Sequence, residues 1–385
     1  MKAGWEIKKL GEVCEFLNRG ISPKYLEWGG LCVLNQKCVR DHRISYEQGR
    51  RHDSAAKVIS IGRFLQLGDV LVNSTGTGTL GRIAQVRDVP LEPTTVDSHI
   101  TILRPKAGKF FLDFFGYMMI TIEEAIKESG EGCGGQTELA RSVLADKFLV
   151  GYPISHTEQQ RIVAILDKAF EGIATVKANA EKNLKNARAL FDSYLNSVFS
   201  RRGDGWVKRT VDELSLNLDS KRIPITKSDR KSGEYPYYGA SGIVDYVADY
   251  IFDGDTLLVS EDGANLLARS TPIAFSVSGK YWVNNHAHIL KFEKMATQRF
   301  VEYCLGSIKL DEYITGAAQP KLNQKALNSI PIFIPQSLED QANIVDSIEL
   351  LSNETQRLES IYQKKIEALD ALKKSILHQA FTGAL

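Results

Sequence analysis

Apolar residues recur at helical spacing in two long segments of the chain. In the first segment they step by threes and fours: Ile162, Leu166, Ala169, Ile173, Val176, Ala180, Leu184, Ala187, Phe191, Tyr194 and Val198. The second segment keeps the stripe, interrupted by Thr355 and Lys373: Ile344, Ile348, Leu351, Leu358, Tyr362, Ile366, Leu369, Ile376 and Ala380. A near-heptad stripe predicts a long helix that packs on another helix, most simply antiparallel. The alternative is that each helix packs on its own globular half.

The two stripes belong to a tandem repeat. Residues 153–199 align with residues 335–381 at a constant offset of 182. A looser repeat precedes each copy, since GWEIKKLGEV matches GWVKRTVDEL, GDVLVNSTG matches GDTLLVSEDG, and VDSHITIL matches VNNHAHIL. Short apolar and alternating runs in these upstream halves are typical of strands. The chain is therefore predicted to alternate globular and helical parts.

The predicted fold class is α+β, with two β-rich heads alternating with two long helices that pair as an antiparallel coiled coil. We place the first head at 1–152, the central helical spacer at 153–202, the second head at 203–334 and the C-terminal helical spacer at 335–385. Ser155 and Glu158 resemble a capping box at the start of the first helix.

A glycine-rich loop after one predicted strand resembles a dinucleotide-binding fingerprint. Gly76, Gly78 and Gly81 have the required spacing, but the segment that follows, residues 82–86, has strand character. A dinucleotide site needs a helix there, because the pyrophosphate sits on the helix N-terminus. The sequence therefore favours a loop between two strands.

Composition and motifs argue against export, membrane insertion and catalysis. No apolar run approaches the roughly 20 residues of a membrane span, the N-terminus lacks a signal core, and the five cysteines form no CxxC pair. A cytoplasmic protein is expected. Phosphate-loop, nucleophile-elbow and amino-methyltransferase motifs are missing, and His286 with His288 has no third metal ligand nearby, which favours a structural or surface role. We therefore expect no catalytic, cofactor-binding or metal-binding residue.

Basic, amide and aromatic residues concentrate in predicted loops of both heads, although the net charge is only +1. This mixture suits phosphate anchoring combined with contacts to base edges. The loop at Ser260 is acidic, which suits a cytosine amino donor or the absence of a phosphate contact.

The chain resembles the DNA-specificity subunit of type I restriction–modification enzymes over essentially its whole length. The resemblance is carried by Trp5 and Trp206, by the two Gly-Asp strand starts, by the Gln136 and Gln319 segments, and by the Pro-to-Gln helix starts at Pro153 and Pro335. It implies two target recognition domains, each reading one half of a split, asymmetric site in double-stranded DNA. It also implies a coiled coil that sets the gap between the half-sites and docks two methyltransferase subunits.

The resemblance further implies motor-nuclease subunits as partners, with S-adenosylmethionine belonging to the methyltransferase and ATP and Mg to other partner subunits. The rival interpretations are a fused DNA methyltransferase and a coiled-coil scaffold with β-rich protein-binding heads. The candidate DNA-binding residues are Arg19, Lys24, Asn35, Lys37, Arg40, Asn73, Ser74, Thr75, Gly76, Thr77, Arg82, Gln136, Lys227, Arg230, Tyr237, Tyr238, Ser260, Asn284, Gln319 and Lys321. The candidate partner-binding residues are Glu158, Gln159, Arg161, Asp340 and Gln341.

Overall fold

The computed structural model describes residues 4–132, 137–200, 203, 205–316, 318–382 and 384–385. Contacts divide the chain into two compact units, each containing one head and parts of both long helices. The first unit is Met1–Ala178 with Ile366–Leu385, and the second is Asn179–Lys365. The predicted boundaries at 152, 202 and 334 stay predictions.

The first head contains twelve strands and four short α-helices within its described residues. The strands are β1 (Trp5–Lys9), β2 (Cys14–Arg19), β3 (Tyr25–Leu26), β4 (Leu31–Leu34), β5 (Val39–Arg40), β6 (Arg43–Ile44), β7 (Arg50–His52), β8 (Val70–Asn73), β9 (Ile83–Gln85), β10 (Thr94–Val96), β11 (Ile100–Pro105) and β12 (Leu149–Pro153). The helices are α1 (Leu10–Val13), α2 (Leu112–Thr121), α3 (Glu123–Glu128) and α4 (Arg141–Asp146). Two four-stranded sheets, in the orders β2-β11-β8-β9 and β10-β4-β7-β3, form its centre.

The second head repeats this plan with ten strands and four short helices in its described part. The strands are β13 (Trp206–Thr210), β14 (Leu216–Asn217), β15 (Ser232–Gly239), β16 (Gly242–Val247), β17 (Phe252–Asp253), β18 (Thr256–Ser260), β19 (Ala274–Val277), β20 (Lys280–Val283), β21 (Ala287–Lys291) and β22 (Pro331–Pro335). The helices are α6 (Val211–Leu214), α7 (Asn265–Ala268), α8 (Met295–Ser307) and α9 (Gln324–Asn328). Its sheets have the orders β14-β21-β18-β19 and β16-β15-β20-β17.

Each head is closed by its own first and last strands. β1 pairs antiparallel with β12, with Trp5 opposite Pro153, and β13 pairs antiparallel with β22, with Trp206 opposite Pro335. The repeated Trp and Pro positions in the sequence are therefore direct partners in a two-stranded sheet.

The long helices α5 (His156–Ser200) and α10 (Leu338–Thr382) begin just after these closing strands. Ser155 Oγ accepts a hydrogen bond from the Glu158 backbone N–H at 3.4 Å, as expected of an N-cap. A buried glutamine then ties each helix to the strand before it: Gln159 donates to the Pro153 carbonyl at 2.8 Å, and Gln341 donates to the Pro335 carbonyl at 2.7 Å. The two helix starts are thus built alike.

Within each unit the two long helices run antiparallel, as predicted. In the first unit Arg161 donates to the Leu385 carbonyl at 3.1 Å, and Lys177 contacts Asp370 at 2.7 Å. The residue numbers of the second helix therefore fall as those of the first helix rise, which is the antiparallel direction. In the second unit Arg188 contacts Glu359 at 3.2 Å, and Phe199 and Ile344 pack on the same core.

Burial follows most of the predicted stripe, with three departures. Val176 and Leu358 are 38% and 39% exposed, whereas Thr355, expected to interrupt the stripe, is 6% exposed. A straight helix drifts by about 20° per heptad relative to a seven-residue pattern, so individual positions rotate out of or into the contact face.

Candidate nucleic-acid interface

The glycine-rich loop, here called the first loop (residues 73–81), connects two strands as predicted. It leaves β8 at Asn73 and enters β9 directly, and the Gly81 N–H donates to the Asn73 carbonyl at 2.8 Å. Gly76, Gly78 and Gly81 have φ of +102°, +78° and +79°, which glycine adopts with little strain. No helix begins there to receive a pyrophosphate within this described stretch, so the dinucleotide interpretation fails on geometry.

The first loop is held from both sides by backbone hydrogen bonds. The Ser74 N–H donates to the His99 carbonyl at 2.8 Å, and the Ser74 carbonyl accepts from the Leu139 N–H at 2.8 Å. The Gly76 N–H donates to the Thr137 carbonyl at 2.9 Å.

The second head contains the same arrangement at the second loop (residues 260–264). The Glu261 N–H donates to the His286 carbonyl at 2.9 Å, and the Glu261 carbonyl accepts from the Leu322 N–H at 2.8 Å. The Gly263 N–H donates to the Pro320 carbonyl at 3.0 Å. Ser74 and Glu261 are therefore equivalent positions, and so are Gly76 and Gly263.

The side chains behind the two loops are quite different. In the first head the buried Ser74 and Thr101 hydroxyls share a hydrogen bond at 2.5 Å. Arg19 contacts Glu138 at 2.7 Å and donates to the Leu139 carbonyl at 2.8 Å.

In the second head an ion-pair network of Asp219, Arg222, Glu261, His288 and Lys321 replaces them. Glu261 contacts Arg222 at 2.6 Å and Lys321 at 3.2 Å. His288 contacts Asp219 at 2.5 Å through Nδ1 and the Leu322 carbonyl at 2.7 Å through Nε2. The same loop backbone is thus fixed by hydroxyls in one head and by charges in the other.

The acidic residues of the second loop have partners within their own head. Glu261 is engaged by two cations of its own head, and Asp262 binds His286 Nδ1 at 2.9 Å. Both carboxylates of the second loop therefore have partners inside the head that help to hold the loop in place.

The pKa values in the network follow from burial opposed by these partners. Burial alone would raise the pKa of Asp219, but the hydrogen bond and charge of His288, with Arg222 and a backbone N–H, hold it below its ordinary value. Burial likewise opposes ionisation of Glu261, and Arg222, His288 and Lys321 hold its pKa below the ordinary value.

Asp219, Glu261 and His288 also lie close enough together to suggest a metal site. Both nitrogens of His288 already have partners, and Arg222 and Lys321 bring positive charge to the carboxylates. The group is an ion-pair network that holds the second loop in place.

The structure distributes the predicted DNA-binding residues over three environments. The exposed ones are Lys24, Lys37, Arg40, Thr77, Lys227, Gln319 and Lys321, and the partly exposed ones are Arg19, Asn35, Thr75, Gly76, Arg82, Arg230 and Tyr238. The buried ones are Asn73, Ser74, Tyr237, Ser260 and Asn284. Gln136 lies outside the described residues. The buried side chains support loops from within, since folded neighbours cover them.

The predicted partner-binding residues are similarly divided. Arg161 and Asp340 are exposed, and Arg161 forms a bidentate contact with Glu158 at 2.7 and 2.9 Å. Gln159 and Gln341 are 0% and 5% exposed, so these side chains serve the junction between strand and helix inside the chain.

Sequence reasoning missed Gln36 and the exposed side chains of His99 and His286 as parts of the loop sites. Gln36 donates through Nε2 to the Thr75 carbonyl at 2.8 Å and also to the Thr75 hydroxyl. The repeat VDSHITIL/VNNHAHIL already carried a signal, because its histidines occupy the same place in both copies.

A groove of about 900 Å³ lies in the first unit, lined by side chains of the head and of both long helices. Tyr117 donates to Asp167 at 2.5 Å, and His42 contacts Glu123 at 2.6 Å. Burial, reinforced by the Asp167 carboxylate, raises the pKa of Tyr117 to about 12, so the phenol stays protonated at neutral pH.

Along the described part of the chain, no helix is long and apolar enough to cross a membrane.

Comparisons with a family model and with two known proteins all indicate the same protein family. The family model of the type I restriction modification DNA specificity domain matches residues 2–186 and 203–368. A putative type I restriction enzyme specificity subunit, S.HindORF215P of Haemophilus influenzae, is 35% identical over 144 residues, which are 37% of each chain. The EcoprrI specificity subunit of Escherichia coli is 26% identical over 334 residues, covering 80% of this chain and 79% of that protein.

Two solved structures share the fold. One, from work on complex assembly and conformational transition of the type I R-M system, has a TM-score of 0.79 and 17% identity, covering 100% of this chain and 99% of that one. The HsdS subunit from Thermoanaerobacter tengcongensis has a TM-score of 0.60 and 18% identity, covering 100% of this chain and 98% of that one.

Proposed function

Since this chain belongs to the family of type I restriction–modification DNA specificity subunits, we propose that each of its two heads reads one half of a split, asymmetric DNA site. The observation that carries the proposal is the loop anchored by the same three backbone hydrogen bonds in both heads. The buried side chains behind the loop differ, as do the loop residues Thr75 and Asp262, so one scaffold presents two different surfaces. Two such surfaces suit a site whose halves differ in sequence.

The long helices have a second role in the proposal. They set the gap between the half-sites and dock two methyltransferase subunits, with motor-nuclease subunits joining for cleavage. The helix starts carry charged groups at the surface, Asp340 and the Arg161–Glu158 ion pair, on which a partner subunit would dock. S-adenosylmethionine would belong to the methyltransferase, and ATP and Mg to other partner subunits. The protein-scaffold alternative is not favoured, because the family match includes both heads.

The chain is a non-catalytic subunit of a type I restriction–modification system. Purified alone it should transfer no methyl group, and it should support adenine methylation when combined with a cognate methyltransferase subunit and S-adenosylmethionine. Methyl transfer by the isolated chain, free of contaminants, would contradict the proposal.

The independence of the heads is tested by loop replacement. Changing both Thr75 and Thr77 to Ala in the complete complex should alter base preference in one half-site and leave the other unchanged. A single mismatch costs about 1–3 kcal/mol, so each position can be scored separately on a library of methylated duplexes. A simultaneous change in both half-sites would show that the heads do not read independently.

A further inference from the structure

A histidine occupies the same exposed position beside the loop of each head. His99 and His286 each accept, through the carbonyl, the loop N–H of Ser74 or Glu261. The His99 N–H donates to Asp97 Oδ1 at 2.9 Å, and the His286 N–H donates to Asn284 Oδ1 at 2.8 Å.

The imidazole rings are also oriented alike. Nδ1 of His99 lies 2.8 Å from the Thr75 hydroxyl, and Nδ1 of His286 lies 2.9 Å from the Asp262 carboxylate. In both heads the loop residue therefore fixes Nδ1 and leaves Nε2 directed away from that contact. His99 is exposed, and the His286 side chain is 48% exposed.

Retention of these histidines contrasts with the change around them. The neighbouring buried pair is Ser74 with Thr101 in one head and Glu261 with His288 in the other. Packing of the core does not explain why an exposed histidine is present in both heads when the buried residues behind it differ. Exposed polar residues kept under such divergence indicate binding.

The loop residue favours one tautomer of each ring. In the first head Gln36 Nε2 donates to the Thr75 hydroxyl oxygen, and donation of the Thr75 hydroxyl proton to His99 Nδ1 completes this chain of hydrogen bonds. Gln36 Nε2 also bonds the Thr75 carbonyl, which can only accept, and this fixes the amide orientation. In this arrangement Nδ1 of His99 is an acceptor, and Nε2 carries the proton.

In the second head the same reasoning gives the opposite result. The Asp262 carboxylate can only accept, so Nδ1 of His286 donates to it. In the neutral ring Nε2 of His286 is therefore an acceptor.

We propose that His99 and His286 are specificity-determining residues that touch base edges through Nε2 with opposite hydrogen-bond polarity. This proposal rests on the proposed function, because it assumes that the heads face DNA. A donor at His99 selects a base that presents an acceptor, such as guanine O6 or N7 or thymine O4, and an acceptor at His286 selects the amino group of cytosine or adenine.

Exchange of the loop residues tests the proposal. Thr75→Asp should convert His99 to the Nδ1–H tautomer, and Asp262→Thr should convert His286 in the reverse direction. Each complete chain is produced with its methyltransferase subunit, and methylated sites are sequenced from a randomised duplex library. The expected result is a change of at least tenfold in preference at one base position, from an acceptor-presenting to a donor-presenting base for Thr75→Asp. Thr75→Ser keeps the hydroxyl and should keep the wild-type preference.

The outcomes separate this proposal from the proposed function. A uniform loss of methylation over all sequences for His99→Ala would indicate a phosphate contact and overturn the base-reading role. Unchanged preferences for both exchange variants, with the wild type still methylating a split site, would overturn this proposal and leave the proposed function standing. A wild-type complex without split-site preference would overturn the proposed function itself.

Discussion

Replacing Arg222 by Met should selectively loosen the second head. Arg222 is the cation that joins two buried carboxylates, contacting Glu261 at 2.6 Å and Asp219 at 3.5 Å, and it also donates to the Ala287 carbonyl at 2.9 Å. Methionine keeps most of the volume and removes the charge. Breaking one side of a buried ion pair costs about 3–5 kcal/mol, and we expect about 3 kcal/mol because Lys321 and His288 remain.

Hydrogen exchange followed by mass spectrometry measures this effect head by head. A single unfolding free energy is poorly defined for a chain with two units, whereas exchange reports the opening of individual strands. About 3 kcal/mol corresponds to roughly a 100-fold increase in the opening equilibrium of β18 and β21. Lys227→Met, at an exposed position of the same head, should change protection by less than about 0.5 kcal/mol.

The reasoning is refuted if Arg222→Met changes protection of β18 by no more than Lys227→Met does. Equal loosening of β8 and β11 in the first head would also contradict it, because the network lies entirely within the second head.

Three further predictions concern pH, the helix junction and the helix length. The pKa values of Asp219 and Glu261 are held low, so the stability they contribute is present above about pH 4 and is lost as pH falls through their folded-state values; exchange protection of β18 should fall with it. Gln341→Ala removes one buried and one partly buried hydrogen bond and should cost about 1–3 kcal/mol in protection at the start of α10, whereas the exposed Gln336→Ala should cost little. Four residues inserted after Lys182 add roughly 6 Å of helix, so the preferred gap between the two half-sites should lengthen by up to about two base pairs of 3.4 Å each. Methylation of duplexes that differ only in gap length measures this change. An active variant that keeps the original preferred gap length would mean that the helices do not set the gap.

The helices and the head plan could be predicted from sequence because their signals are local or repeated. The stripe from Ile162 to Val198 has helical spacing throughout, and the repeat aligns Trp5 with Trp206 in the sequence alone. The glycine loop was also interpretable, since the residues after Gly81 have the wrong pattern for a helix.

The environment of the loop side chains could not be predicted in this way. Arg19 finds its carbonyl partner 120 residues away, and His288 finds Asp219 69 residues away. Such contacts depend on how the strands are arranged in the sheets. Residue types and their spacing in the sequence do not predict that arrangement. Polar residues such as Asn73 and Ser260 therefore resembled DNA contacts in the sequence but are buried in the structure.

The closing sheets of the heads have a consequence for evolution. Because Trp5 lies opposite Pro153 and Trp206 opposite Pro335, the chain enters and leaves each head at neighbouring points. The helix that follows has the same glutamine-to-proline junction in both cases. Genetic recombination at these junctions would exchange a complete head, with its sheets and loop, while both helix starts are preserved. Under the proposed function, one such event would replace the reading of one half-site and leave the other head unchanged.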